Sequence, residues 1–221
     1  MISLRKPFKY TFFNASLAII LINVGVHFLF QLFGINRLFF GLNVVGFVYH
    51  YRFWQLFSYM FVHGDISHLF FNMLALIIFG NTIERTLGSK EFLLLYLAVG
   101  AGSGLFSLAA YYSYGRFLIA NGIQPWTFGI SLIGASGAIY GLLFAYAVIF
   151  PRSVVYIWGL IPVPAPLMVF GYAVIEFVSQ FVSSSNVAHM THLAGFFFAW
   201  LYFIIRMGIH PISVWKNAYR N

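Results

Sequence analysis

Ser136 sits among small residues in Gly134-Ala135-Ser136-Gly137 and opens an apolar run that stops at Pro151. A hydroxyl at a helix N-terminus faces unpaired backbone N–H groups and the positive end of the helix dipole. That setting favours an anion developing beside it, as acyl transfer requires. The same pattern taken alone also describes a serine N-cap on an ordinary helix. Its chemistry depends on an imidazole reaching it, and His192, in His192-Leu193-Ala194-Gly195, is the candidate. His68 and Asn72 lie four residues apart and share a helix face, as do Ser136 and Tyr140. Gly137 and Gly141 on one helix, with Gly195 and Ala199 on another, would let the serine and histidine helices approach to hydrogen-bond distance.

The elements that carry these residues are membrane helices. The chain has 221 residues, 62% of them hydrophobic and only 7% charged. A soluble domain carries roughly a quarter charged residues. Apolar runs of about 18 residues or more make this an all-α polytopic membrane protein. Spans and short loops use the whole length, so a single domain, 1–221, is expected. The net charge of +8 sits at span ends and not in a patch, which excludes a nucleic-acid partner. Without cysteine, neither disulfides nor thiolate metal sites are available. Arg5, Lys6 and Lys9 precede a run long enough to span with no small-residue cleavage site, so no cleavable signal is expected.

Six spans are read: 15–32, 67–85, 92–112, 136–150, 167–182 and 189–205. The aromatic-rich stretch from Asn36 to His63 is too interrupted to span and suits the headgroup region. Ile161 to Pro166 cannot be helical, because each proline disfavours the helical region for the residue before it. His27 is read as a structural histidine. With the N-terminus inside, nine Lys and Arg fall on inner segments and three (Arg37, Arg52, Arg116) on outer ones. Both termini are therefore expected in the cytoplasm and Ser136 near the outer face.

Depth gathers the polar residues. Ser136 lies 14 residues above Phe150, and His192 lies 14 above Arg206, roughly 21 Å in each case. His68 and Asn72 lie roughly 24 and 18 Å above Glu84. These residues fall at one level inside a hydrocarbon core about 30 Å thick, where polar groups are costly and usually functional. Glu176, the one acid within a span, falls about 6 Å below the serine level by the same count. It is read as a structural hydrogen-bonding group, with no acid placed to orient the histidine.

These motifs resemble those of the rhomboid family of intramembrane serine proteases. His68-Leu69-Phe70-Phe71-Asn72 is similar to its H-x-x-x-N motif and Gly134-Ala135-Ser136-Gly137 to its G-x-S-G motif. His192-Leu193-Ala194-Gly195 is similar to its histidine motif and Glu84-Arg85-Thr86-Leu87-Gly88 to its E-x-x-L-G turn. The resemblance covers about Tyr51 to Trp200. It implies a six-helix rhomboid-like bundle with an interfacial first loop and a core of about 51–208. It further implies Ser136 as nucleophile, His192 as general base, and His68, Asn72 and the Ser136 N–H as oxyanion hole. Tyr140 would pack against the His192 ring, and His63 matches a further family histidine. The first loop departs from the family pattern with Trp54-Gln55 where Trp-Arg is usual, and Ala199 stands where glycine is common.

The reading is thus a serine endopeptidase with a Ser–His dyad, no cofactor and no metal. Its partners would be the lipid bilayer and single-span membrane proteins cut near the outer face, and its expected location a bacterial inner membrane. The alternative is a catalytically silent rhomboid-like protein that binds membrane clients. A transporter should show paired broken helices in two related halves, and none is found. A metalloprotease would need H-E-x-x-H, which is absent, and no carboxylate is read beside His189 and His192.

Overall fold

A computed structural model describes residues 6–157, 159–182 and 186–220. Arg5, counted above among the inner basic residues, lies outside them. The chain is a helical bundle. Helices α1 (Ala15–Phe33), α2 (Ile66–Leu87) and α3 (Ser89–Ala120) are long and apolar enough to cross a membrane. So are α5 (Ala165–Val182) and the His189–Met207 part of α6, which begins at Asn186. Between them, α4 (Ser136–Ile149) has only 14 residues and rises about 21 Å. The protein is an all-α, multi-pass integral membrane protein.

Sequence patterning explains where each helix sits. Along α4 residues on every face are buried, which is the pattern of a central helix. On α1, Ala15, Ile19, Asn23 and His27 form a buried stripe at a spacing of four, while Leu17, Leu21, Phe28 and Leu29 face outward. His27 is part of that buried stripe. The helices α2, α3, α5 and α6 enclose α4, and α4 meets α6 most closely. A Cβ on Gly195 would lie 2.3 Å from the Gly137 carbonyl oxygen, so those two backbones are in contact.

The stretch from Asn36 to His63 forms short turns at Arg37–Phe39, Val45–Tyr49, Gln55–Ser58 and Tyr59–Phe61. Its Tyr51, Phe53 and Trp54 rings are exposed. Gln55 is fully buried and donates to the Phe39 carbonyl at 3.1 Å, while the Arg52 guanidinium lies 4.8 Å from the Phe39 ring centre. The loop is anchored to the segment before Ser136. Leu42 and Leu132 exchange backbone hydrogen bonds of 2.9 and 2.8 Å, and the Gly134 N–H donates to the Tyr59 carbonyl at 2.9 Å.

Four features differ from expectation. Helix α3 continues past Tyr112 to Ala120. The mixed stretch from Ser113 through Arg116 holds no proline and still suits a helix, and the turn comes at Asn121-Gly122, where Gly122 takes φ +70°. The proline-rich loop is an antiparallel hairpin, β1 (Val154–Ile157) with β2 (Ile161–Pro164), closed through Gly159 at φ +71°. Pro166 lies inside the first turn of α5, where its missing N–H is not needed. A short helix α7 (Pro211–Ala218) returns against α4, with Trp215 donating to the Ala147 carbonyl at 2.9 Å.

Candidate active site

Ser136 is the first helical residue of α4, not its cap; the capping position is Ala135. Its hydroxyl lies 2.8 Å from His192 Nε2 on α6. The N-cap reading is therefore replaced by a side-chain pair joining two helices. The backbone contact at Gly195 makes the distance attainable, and Gly137 deepens it, since a Cβ there would meet Thr191 and Ser103 at 3.1 and 3.2 Å. Tyr140, one turn below Ser136, stacks on the His192 ring with centroids 4.1 Å apart and planes 6° apart. This is the contact that the resemblance implied.

Facing the pair is a cavity of about 670 Å³ whose walls include Ser136, His192, His68, Asn72, Tyr140 and Gly134. Gly134 adopts φ +110°, and a Cβ on it would lie 2.6 Å from His68 Nε2 and 3.6 Å from Asn72 Nδ2. A side chain at this position would enter the space that the α2 residues occupy. Asn72 Nδ2 is buried without a protein partner among the described residues. Asp65 caps α2 by accepting from the His68 N–H at 2.8 Å, and this bond holds the Asp65 carboxyl below its ordinary range. His63 lies in the loop before α2, 5.0 Å from the His68 ring. Burial, with the His68 imidazole alongside, pushes its pKa down to about 3.

The structure corrects two readings of Glu176. Its carboxylate on α5 lies 3.0 Å from His192 Nδ1 and 2.5 Å from His189 Nδ1, and accepts the Tyr140 hydroxyl. An acid is therefore placed beside the histidine, and a carboxylate does stand beside the His189/His192 pair. The depth count located helix backbones. It left out the reach of a glutamate upward and of an imidazole ring downward between the two levels.

A family model described as the rhomboid domain matches residues 50–208. The chain belongs to the rhomboid family. This rhomboid is 29% identical over 185 residues to RHOMBOID-like protein 12, mitochondrial, of Arabidopsis thaliana, covering 81% of this chain and 54% of that protein. It is 32% identical over 151 residues to Rhomboid protease AarA of Providencia stuartii, covering 63% and 52%. Rhomboid-like protein 11, chloroplastic, of Arabidopsis thaliana is 31% identical over 211 residues, covering 86% and 64%. The chain thus spans between about half and two thirds of the length of these relatives. One of the three is named a protease and the other two rhomboid-like.

Proposed function

We propose that this rhomboid is an intramembrane serine endopeptidase that cleaves single-span membrane proteins near the outer face of the bilayer. One observation carries the reading: the 2.8 Å contact of Ser136 Oγ with His192 Nε2 on the wall of a cavity large enough for an extended peptide segment. Ser136 is the nucleophile and His192 the base. As Oγ bonds the substrate carbonyl carbon, its proton passes to Nε2 and charge moves to the carbonyl oxygen. That oxygen is held by His68, Asn72 and the Ser136 N–H, and the unpartnered amide of Asn72 supports this role. The proton then leaves with the amine, and water hydrolyses the acyl-enzyme. Gly134, Gly137 and Gly195 keep the walls close, Tyr140 holds the ring, and His63 backs His68.

Residues 1–221 act as one membrane domain with a core of about 51–208. Ser136 opens toward the outer side and the termini lie in the cytoplasm of a bacterial inner membrane. Support comes from Arg85, Lys90, Arg152 and Arg206, which all belong to the bundle end opposite the Ser136 end of α4. A helix of about 21 Å is also shorter than the roughly 30 Å hydrocarbon layer, which leaves room for a water-filled recess above Ser136.

The test is incubation of the purified full chain with labelled single-span substrates. A fluorophosphonate probe, which modifies an activated serine hydroxyl, is the second measurement. Cleavage and labelling in the native chain, both absent in Ser136→Ala, are the expected results. Cleavage by that variant rejects the assignment, and a native chain that neither cleaves nor labels favours a silent client-binding protein.

A further inference from the structure

Three helices converge on one carboxylate. Glu176 of α5 is 6% exposed, and both its oxygens are engaged. Oε1 takes the Tyr140 hydroxyl from α4 and stands 3.0 Å from His192 Nδ1, while Oε2 stands 2.5 Å from His189 Nδ1. The Ser–His reading assigns nothing to Nδ1 of His192. A neutral imidazole carries one N–H, and a carboxylate only accepts, so the hydrogen on His192 must sit on Nδ1. Nε2 is then left as the acceptor, aimed at the Ser136 hydroxyl.

Resting on the hydrolase reading above, we propose that Glu176 is a positioning residue that extends the Ser136–His192 pair into a Ser–His–Glu array. It fixes the imidazole tautomer and offsets the positive charge that forms when Nε2 takes the serine proton. Glu176 stays ionised throughout: the proton travels from Ser136 Oγ to Nε2 and on to the leaving amine. Tyr140 secures this twice, through its hydroxyl on Glu176 and its face on the His192 ring. His189 occupies the other oxygen and leaves the carboxylate one orientation.

Two imidazoles and a carboxylate are also a zinc-ligand set, and their ligand atoms here lie within 4.8 Å of one another. The separations match hydrogen bonds more closely, and the chelator arm of the experiment below tests the zinc alternative. Ligands of a tetrahedral zinc at roughly 2.0–2.1 Å stand about 3.3 Å apart. The 2.5 and 3.0 Å contacts of Glu176 are hydrogen-bond separations.

The experiment uses the full chain as Glu176→Gln and Glu176→Asp, with kcat and KM on a labelled single-span peptide, the fluorophosphonate labelling rate of Ser136, and thermal stability. The amide keeps the shape but can present N–H to Nδ1 and favour the wrong tautomer. We expect kcat and the labelling rate of Glu176→Gln to fall about a hundredfold or more with KM within about twofold, and Glu176→Asp to recover part of the loss. Native kcat and labelling rate in Glu176→Gln overturn the proposal. So does a loss that only tracks a fallen melting temperature in both variants, or native activity abolished by a chelator and restored by zinc. An active Ser136→Ala would instead sink the underlying hydrolase reading, so the two failures are told apart.

Discussion

Buried carboxylates hold together both ends of this molecule, and they do so with different partners. At the end away from the cavity, Glu84 accepts from the Ala15 and Ser16 N–H groups at 2.5 and 2.8 Å, the Ser16 hydroxyl at 2.6 Å and the Ser89 hydroxyl. Beside it Glu91 takes Arg206 at 2.9 and 3.0 Å, the Phe8 N–H at 2.9 Å and the Tyr202 hydroxyl. Glu84 ties the start of α1 to the α2–α3 turn, and Glu91 ties α3 to the end of α6 and to the segment before α1. Both are saturated by donors that perform no chemistry. At the cavity end, Glu176 is held by imidazoles and a phenol, and Asn72 and Ser131 keep buried polar atoms without a protein partner among the described residues. Saturated carboxylates build the frame. Thr11 Oγ1 at that end is a buried atom without a partner among the described residues, but it faces no cavity lined by the site residues. Incomplete satisfaction beside a cavity leaves groups for a substrate to complete.

If that division is right, the largest separation of activity from stability comes at Ser136. Ser136→Ala should abolish substrate cleavage and leave the melting temperature within a few degrees of native, since only one hydroxyl is lost. Thermal unfolding and cleavage measured on the same preparation check both halves. A Glu84→Ala chain should do the reverse. It orphans two backbone N–H groups and two hydroxyls, and about 3 kcal/mol of stability should go. Cleavage per folded molecule should stay native, and a selective fall in turnover at full folding would erase the contrast between the two ends.

Much of the cavity end was legible in the sequence because depth along a helix is readable from residue counts. Ser136, His192, His68 and Asn72 stand on three helices at matched counts, and all four line one cavity. The apolar runs likewise read out as helices. What counting misses is lateral reach. Glu176 falls below the serine level by rise alone, yet its side chain meets the lower nitrogen of an imidazole whose upper nitrogen meets Ser136. Glu176 and His189 stand 13 residues apart on two successive helices, and that spacing carries no periodic signal for their contact. The hairpin at Val154–Pro164 was hidden for another reason: proline excludes helix without naming what replaces it. The Gln55 departure was visible as a residue change, but its compensation, a buried amide serving the Phe39 carbonyl, depends on how the loop folds back.

Closeness of α4 and α6 gives the next test. In Gly195→Ala the new methyl carbon starts 2.3 Å from the Gly137 carbonyl oxygen, and backbone must move to admit it. A displacement of about 1 Å between serine and imidazole costs on the order of a hundredfold in rate. Turnover should therefore fall about that much while the fold survives, with fluorophosphonate labelling slowed in step. Native turnover in Gly195→Ala would mean that the two helices have slack, and that the frame does not set the catalytic distance.

The smallest effect is set by pH and tests whether the cavity end is weaker than the frame. His63 is 1% exposed, and its pKa is depressed from 6.5 to about 3. Between those values the unfolded chain binds a proton at this site and the folded chain does not, so falling pH favours unfolding. The contribution is fully present above about pH 6.5, shrinks as pH drops, and levels off below about pH 3. At pH 5 the loss attributable to His63 is about 2 kcal/mol. Chemical denaturation of the native chain and of His63→Gln at pH 7 and pH 5 isolates it, because every other titrating group is common to both. The native chain should lose about 2 kcal/mol more than the variant over this interval. Equal losses would mean that water reaches His63 in the folded state, and that the cavity end tolerates charge as readily as the end that Glu84 and Glu91 secure.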